Sequence, residues 1–241
     1  KMYLNIMEWN FMTFREIEES IKNDPLVILP VGSVEEHGNH LPVGSDSFQA
    51  IYVAEKISER LNALVLPPIY YGYTELDDFK GTISIGFDAL YMIMKDILNS
   101  LIRQGVKKIL IISGHASGIH MAALKRASNE VVRDNMVKIM LLSDYDIAYE
   151  LRGNLIPQDD SHAGIIETSR MMAIMPEKVK GDMRFRKGEK GNFLVVSNYS
   201  TVYPEGTFSD PRGSSRELGE KINNYVIEKL IQIIRDNFCI S

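Results

Sequence analysis

Short, continuous apolar runs separated by helix-length segments are the strongest constraint in this sequence. Leu26-Val27-Ile28-Leu29-Pro30-Val31 and Lys108-Ile109-Leu110-Ile111-Ile112 are too short for ordinary helices and carry almost no polar alternation. They read as strands buried on both faces. Residues 63–66 and 137–142 read as further strands, and residues 193–196 as another. Between them, apolar spacing predicts helices over 46–61, 87–103, 118–133, 165–175 and 216–236. Ser45 or Asp46 would cap the first of these, Gly105 would stop the second, and Pro176 would end the fourth. Strand–helix alternation of this kind predicts an α/β layered fold with a mostly parallel sheet. No repeat, low-complexity stretch or linker divides the chain, so residues 1–241 are read as one domain. The loop over 181–215, rich in Gly, Lys and Arg, is expected to be a mobile flap or an oligomer contact.

Charge and cysteine content narrow the partners. Lys and Arg number 27 against 32 Asp and Glu, a net charge of -5, which argues against nucleic acid or an anionic membrane as the main partner. No stretch approaches the ~18 apolar residues of a membrane span. The most apolar long stretch, 226–234, is interrupted by Glu228, Lys229 and Gln232. The first residues show neither an apolar core of signal-peptide length nor a cleavage pattern, so a soluble, cytoplasmic protein is expected. A single cysteine, Cys239, excludes an intrachain disulfide framework and a cysteine-based zinc cluster, and fits a reducing cytosol. Any transition metal must therefore be held by carboxylates and the five histidines.

Those histidines fall in three short segments. In the first, Glu35-Glu36-His37-Gly38-Asn39-His40 follows the first strand. If the chain stays extended there, Ser33, Glu35 and His37 face one side and Glu36 the other. Glu35 and His37 form a carboxylate–imidazole pair suited to Zn²⁺, Mn²⁺ or Fe²⁺. Gly38 and Pro42 bend the chain so that Asp46 can return to the same spot and bridge two ions. The alternative is that these polar groups merely cap loops and helix starts. In the second segment, Ser113-Gly114-His115-Ala116-Ser117-Gly118 follows the clearest strand, with His115 at its carboxyl end. His120, on the next helix, reads as a partly buried core residue. The glycines match neither phosphate-loop pattern, and no lysine is in place. In the third, His162 precedes a helix and suits an acid, a base or an orienter of a ligand. Glu167, five residues on, is either part of the site or a helix-start carboxylate favoured by the macrodipole. In a parallel sheet, segments that follow strands can converge in one crevice beyond the carboxyl ends.

Together these segments resemble the creatininase (creatinine amidohydrolase) family. The matching pieces run in order: Pro30 to Pro42 with Asp46, Phe79-Lys80-Gly81-Thr82-Ile83-Ser84, Ser113-Gly114-His115, His162-Ala163-Gly164 with Glu167-Thr168-Ser169, and Gly206 to Arg212. The resemblance implies a three-layer αβα sandwich and a two-metal hydrolytic site in a ring-like homo-oligomer, a hexamer. It implies that Glu35 and His115 bind one divalent ion (Zn, Mn or Fe) and His37 the other, with Asp46 bridging. His162 matches the histidine that family mechanisms use for proton transfer. Three departures stand out. Ser113 replaces the usual Asn, and Ser117 occupies a position where family members carry a metal-binding glutamate. Ile165 stands where many members have another glutamate. Glu167 or Glu36 would then supply the second ion's carboxylate. The family's creatinine-specific members close tryptophans over the substrate, whereas Trp9 is the only tryptophan here.

The expected activity is metal-dependent hydrolysis of a non-peptide C–N bond in a small amide or cyclic amide, with a metal-activated water as nucleophile. His162 would shuttle the proton, with Glu36 or Glu167 as its partner. Formamide-type intermediates and short modified peptides are among the substrates left open. A serine or cysteine nucleophile is disfavoured, because Ser33 lies in no G-x-S-x-G elbow and Cys239 sits near the chain end. The competing expectation is a degenerate relative with a binding or assembly role and an incomplete metal site.

Overall fold

The computed structural model describes residues 6–191 and 193–240. Lys1 to Asn5, on which the expectation of no leader partly rested, lie outside the described residues. Five strands form one parallel sheet: β1 (Met7–Glu8), β2 (Leu26–Val31), β3 (Leu64–Val65), β4 (Lys108–Ser113) and β5 (Lys138–Ser143). Their order is β1-β3-β2-β4-β5, and every pairing is parallel. The helices are α1 (Phe14–Lys22), α2 (Ser45–Leu61), α3 (Phe87–Arg103), α4 (Gly118–Asp134), α5 (Tyr145–Ala148), α6 (Ile165–Ile174), α7 (Tyr199–Val202) and α8 (Arg216–Phe238).

The apolar runs explain the layering. Alternate strand residues point to opposite faces. Leu26, Ile28, Leu110 and Ile112 therefore pack with Val53 and Ile57 of α2, Ile166 of α6 and Val226 and Leu230 of α8. Val27, Leu29, Val31, Ile109 and Ile111 pack instead with Leu90 to Leu101 of α3 and Ala123 to Val131 of α4. The result is the αβα sandwich that the resemblance implied. Among the described residues, no helix is long and apolar enough to cross a membrane.

Chain order reverses direction beside β2: β3 lies on one side of it and β4 on the other. This topological switch opens a crevice beyond the carboxyl ends of β2 and β4. The β2–β4 register runs from Leu26↔Lys108 to Val31↔Ser113, so both strands end level and release their loops side by side.

Several local expectations change. Residues 193–196 form no strand: Phe193 and Val195 are fully exposed, with no neighbouring strand to satisfy their backbone. Neither Ser45 nor Asp46 caps α2. Gly44 holds the cap position without a side-chain bond, Ser45 Oγ donates to the Pro42 carbonyl, and the Asp46 carboxylate turns away into the crevice. Helix α1 was not expected, since it buries no residue. Its capping box, in which Thr13 accepts from the Glu16 backbone and Glu16 accepts from Thr13 N, was the available signal.

One buried ion pair ties the site's back wall together. Arg170 on α6 is fully buried, its Nη2 2.5 Å from Asp144 Oδ2 at the end of β5. Its Nε donates to Asn223 Oδ1 on α8 at 2.8 Å. Removing one partner strands the other charge without water. Arg170→Met is expected to lower unfolding free energy by about 3–5 kcal/mol in urea denaturation, and a loss below about 1 kcal/mol would contradict this account.

Candidate active site

Two buried carboxylates and two imidazoles meet where β2 and β4 end. Asp46, in the first turn of α2, sends Oδ1 to 3.0 Å from His37 Nε2 and Oδ2 to 3.0 Å from His115 Nδ1. Ser33 Oγ donates to the same Oδ2 at 2.6 Å. Glu35 Oε2 lies 3.4 Å from His115 Nδ1. This closeness depends on Gly114, because a Cβ there would fall on the Asp46 carbonyl. The small residues around His115 are thus an approach surface for α2.

Backbone carbonyls fix both histidine tautomers. His37 Nδ1 donates to the Glu35 carbonyl at 3.0 Å, which leaves Nε2 facing Asp46. His115 Nε2 donates to the Tyr73 carbonyl at 2.9 Å, which leaves Nδ1 facing Asp46 and Glu35. Such bonds orient imidazoles for a cation. Around them, Thr74 Oγ1 donates to Glu35 Oε1, and Thr82 Oγ1 accepts from Glu36 N at 2.9 Å. The 79–84 segment noted in the sequence therefore braces the first loop. His120 is fully buried behind the site, its Nε2 3.1 Å from Ser113 Oγ, and burial together with nearby His115 pushes it down to about 3. His40 likewise serves structure: its Nε2 is 2.8 Å from Thr168 Oγ1, and burial pushes it down to about 4.

The third segment arrives on α6. Asp160 accepts from the Ile165 and Ile166 amides at 2.6 and 3.2 Å, anchoring the first turn of that helix. Ala163 takes a left-handed conformation, φ 54°, and its amide donates to Glu167 Oε2 at 2.6 Å. That oxygen lies 3.5 Å from His37 Nε2. His162 directs Nε2 to the Glu36 carbonyl and to Glu36 Oε1 at 2.9 and 3.2 Å. Its Nδ1 faces Glu35 Oε2 at 3.6 Å. Glu36 is seated by a bond from Gly38 N and by Gly206, where any side chain would collide with its carboxylate.

The donors therefore form sets. Glu35, Asp46 and His115 bring one ligand atom each within 4.8 Å of one another, as do His37, Asp46 and Glu167. The two sets share Asp46. A third grouping joins Glu35, His37 and His162. The set chemistry fits divalent ions of the Zn²⁺ or Mn²⁺ kind: mixed imidazole and carboxylate donors, buried, with tautomers fixed. Charge demands the same. Burial opposes protonation of His37, yet Asp46, Glu167 and Glu35 outweigh it and hold its pKa well above the usual imidazole range. Burial opposes protonation of His115 too, yet Glu35 and Asp46 raise it to about 9. Burial pushes the Glu167 carboxyl up, against His37 and His162. Buried carboxylates at this density call for positive charge.

A cavity of about 270 Å³ opens over these donors. Its walls include Glu75, Ser117, Tyr149, Tyr199 and Phe208, none of which the sequence singled out for a site role beyond the substitution noted at Ser117. The loop over 181–215 supplies Tyr199 and Phe208. Phe208 N donates to the His162 carbonyl at 3.0 Å, and the Tyr203 ring stacks on Phe208 with centroids 4.1 Å apart. The run around Gly206 was the only sequence signal for this wall. Ser117 donates to Glu75 Oε2 at 3.0 Å and belongs to no donor set. Trp9 packs against the α3–α4 side of the core, away from the cavity lining.

Residues 10–234 match the creatininase family, described as creatinine amidohydrolase. The creatinine amidohydrolase of Pseudomonas putida is 29% identical over 253 aligned positions, covering 94% of this chain and 95% of its own. The mycofactocin precursor peptide peptidase of Mycobacterium tuberculosis is 28% identical, with 86% and 84% covered. A 2-amino-5-formylamino-6-ribosylaminopyrimidin-4(3H)-one 5'-monophosphate deformylase of Methanococcus maripaludis is 24% identical, with 83% and 88% covered. A crystal structure of creatinine amidohydrolase superposes with a TM-score of 0.90 at 26% identity, covering 98% of this chain and all of that one. A creatininase with Mn gives 0.88 at 26% identity, and a variant creatininase of the Zn-Zn type gives 0.87 at 25%; each covers 96% of this chain and 98% of its own. The chain belongs to the creatininase family and is a metal-dependent amidohydrolase of that family.

Proposed function

We propose that this enzyme hydrolyses a non-peptide C–N bond in a small amide or cyclic amide at a site holding two divalent ions, Zn, Mn or Fe. In this reading Glu35, Asp46 and His115 hold one ion, and His37, Asp46 and Glu167 hold the other. The observation that carries it is the pair of buried donor sets sharing the Asp46 carboxylate beneath an open cavity. In this reading Glu167 supplies the second ion's carboxylate, and its closeness to His37 speaks against an incomplete metal site. Ions bound there would lower the pKa of water and polarise a substrate carbonyl.

The remaining chemistry belongs to the chain. His162 Nδ1 faces the donor cluster, placed to accept a proton from the attacking water and return it to the leaving nitrogen. Glu36 positions His162 through its carbonyl and carboxylate, which meet Nε2 and favour the imidazolium while the proton is held. Tyr149, Tyr199 and Phe208 exclude water from the sides of the cavity. A volume of about 270 Å³ suits a small molecule, at the low end of ligand pockets. With Trp9 remote from the lining, the enclosure of creatinine by tryptophan has no counterpart here. The reading includes a cytoplasmic location and a homo-oligomer in which the 181–215 loop contacts a neighbouring subunit; exposed Phe193 and Val195 support such a contact.

Zinc titration of the chelator-treated protein, followed by elemental analysis, tests the assignment. About two ions per chain are expected for the wild type, none for Asp46→Ala, and about one for Glu167→Gln. An Asp46→Ala variant that kept its zinc would sink the proposal. Ser33→Ala, which removes a bond to the shared carboxylate, should weaken zinc binding by about 10–100-fold with the fold unchanged. His162→Ala should keep both ions yet lose about 10²–10⁴-fold in turnover of whichever small or cyclic amide the wild type hydrolyses.

A further inference from the structure

Glu75 is the one carboxylate lining the cavity that belongs to neither donor set. The lining carries Glu35, Asp46, Glu75 and Glu167, and no Lys or Arg. The first, second and fourth of these are donors; Glu75 is not. Its position is built. Thr74, the preceding residue, is fixed to Glu35, and the Leu76 amide donates to Thr74 Oγ1 at 3.0 Å. Ser117, on the opposite lip, donates to Glu75 Oε2 at 3.0 Å. Among the described residues, Glu75 forms no ion pair. Lys190 lines the adjoining cavity with Glu75, but its Nζ sits over the Tyr199 ring, 5.7 Å from the centroid.

Aromatic faces complete the surroundings. Tyr199 and Phe208 lie nearly parallel, 9° between planes, with centroids 6.0 Å apart. The Tyr199 hydroxyl is held above the usual phenol range by burial first and by the Glu75 charge second. A half-buried carboxylate beside aromatic faces attracts a cationic nitrogen through charge-assisted hydrogen bonds and cation–π contact. The same carboxylate repels a second anion beside it, and no Lys or Arg lines the cavity to offset that; the basic side chains of the lining, His115 and His162, lie among the donors. The deformylase relative's name specifies a monophosphate; no Lys or Arg in this lining would pair with one.

We propose that Glu75, braced by Ser117, is a specificity residue that selects substrates carrying a protonated amine or amidine away from the scissile amide, and rejects anions there. The proposal rests on the hydrolase reading of the site, since it presumes that the donor sets mark where the amide is cleaved.

Three near-isosteric probes test it on the zinc-loaded protein: γ-aminobutyramide (cation), valeramide (neutral) and glutaramate (anion). Dissociation constants come from ligand-observed saturation-transfer NMR titrations. The wild type should prefer the cation to the neutral amide by about tenfold, with the anion weakest. Glu75→Gln should bring the first two within about twofold and leave zinc content and melting temperature unchanged, while Ser117→Ala should erode the preference by about threefold. Equal binding of all three by the wild type, no binding of γ-aminobutyramide, or an unchanged preference in Glu75→Gln would each overturn the assignment. Zinc loss in Glu75→Gln would overturn it too, by making Glu75 a ligand. Two bound zinc ions without charge preference would refute Glu75 selectivity and leave the hydrolase reading standing. A wild type that binds neither zinc, manganese nor iron(II) would remove both.

Discussion

The site depends on a carboxylate that almost never meets water. Asp46 is 1% exposed, in the first turn of α2, and each oxygen faces a different imidazole. An ionised group so buried is tolerable only with opposite charge and hydrogen bonds around it. The fold supplies these from separate directions: Ser33 and His37 from the β2 exit, His115 from the β4 exit, and the N-terminal dipole of α2 itself. Burial raises the carboxyl, but His37 and His115 overcome this and hold it well below the usual range. Everything close to Asp46 follows from keeping it charged. The level ends of β2 and β4 bring the two loops together, and Gly114 lets α2 approach near enough to use them.

Main-chain carbonyls carry out much of the organisation that side chains are usually credited with. Glu35 O and Tyr73 O accept hydrogen bonds from His37 and His115, and Glu36 O meets His162 Nε2. These carbonyls lie in loop segments braced by bonds from Glu35 N to Val43 O and from Ile85 N to Gly72 O, each at 2.9 Å, so the imidazole orientation inherits the rigidity of the braced loops. This also separates the five histidines. His37, His115 and His162 each keep one nitrogen facing the carboxylates, whereas burial pushes His40 and His120 down to about 4 and about 3, so that they support the wall behind as neutral imidazoles.

How much of this was legible in the sequence followed the distance over which each effect acts. The strands over Leu26–Val31 and Lys108–Ser113 were legible because burial on both faces leaves an unbroken apolar run. Glu35, His37 and Asp46 were legible because a turn within twelve residues joins them. Glu167 was recognisable as a candidate beside Glu36, but that it stands next to His37 while Glu36 meets His162 depends on the α6 approach, which no local pattern encodes. Helix capping misled at Ser45 and Asp46, because tertiary charge claimed the Asp46 side chain. Composition misled at 193–196: β-prone residues form no strand where no neighbour supplies hydrogen bonds. Arg170, Asp144 and Asn223 come from α6, β5 and α8, so their buried network had no sequence signature. Tyr149, Tyr199 and Glu75 line the cavity for the same long-range reason.

The floor and the walls of the cavity obey different constraints. The floor is made by strand ends, a helix start and backbone carbonyls, where one displaced group leaves a buried charge unpaired. The walls are made by half-buried side chains, Glu75, Ser117 and Phe208 on loops and Tyr199 at the start of α7, which belong to no donor set. Ser117 illustrates the division. It follows the β4 exit closely yet bonds to a wall residue, while Glu167 stands beside His37 from another helix. The space beside the β4 loop thus belongs to the wall, and what distinguishes the substrate is to be sought through the walls and not through the donors.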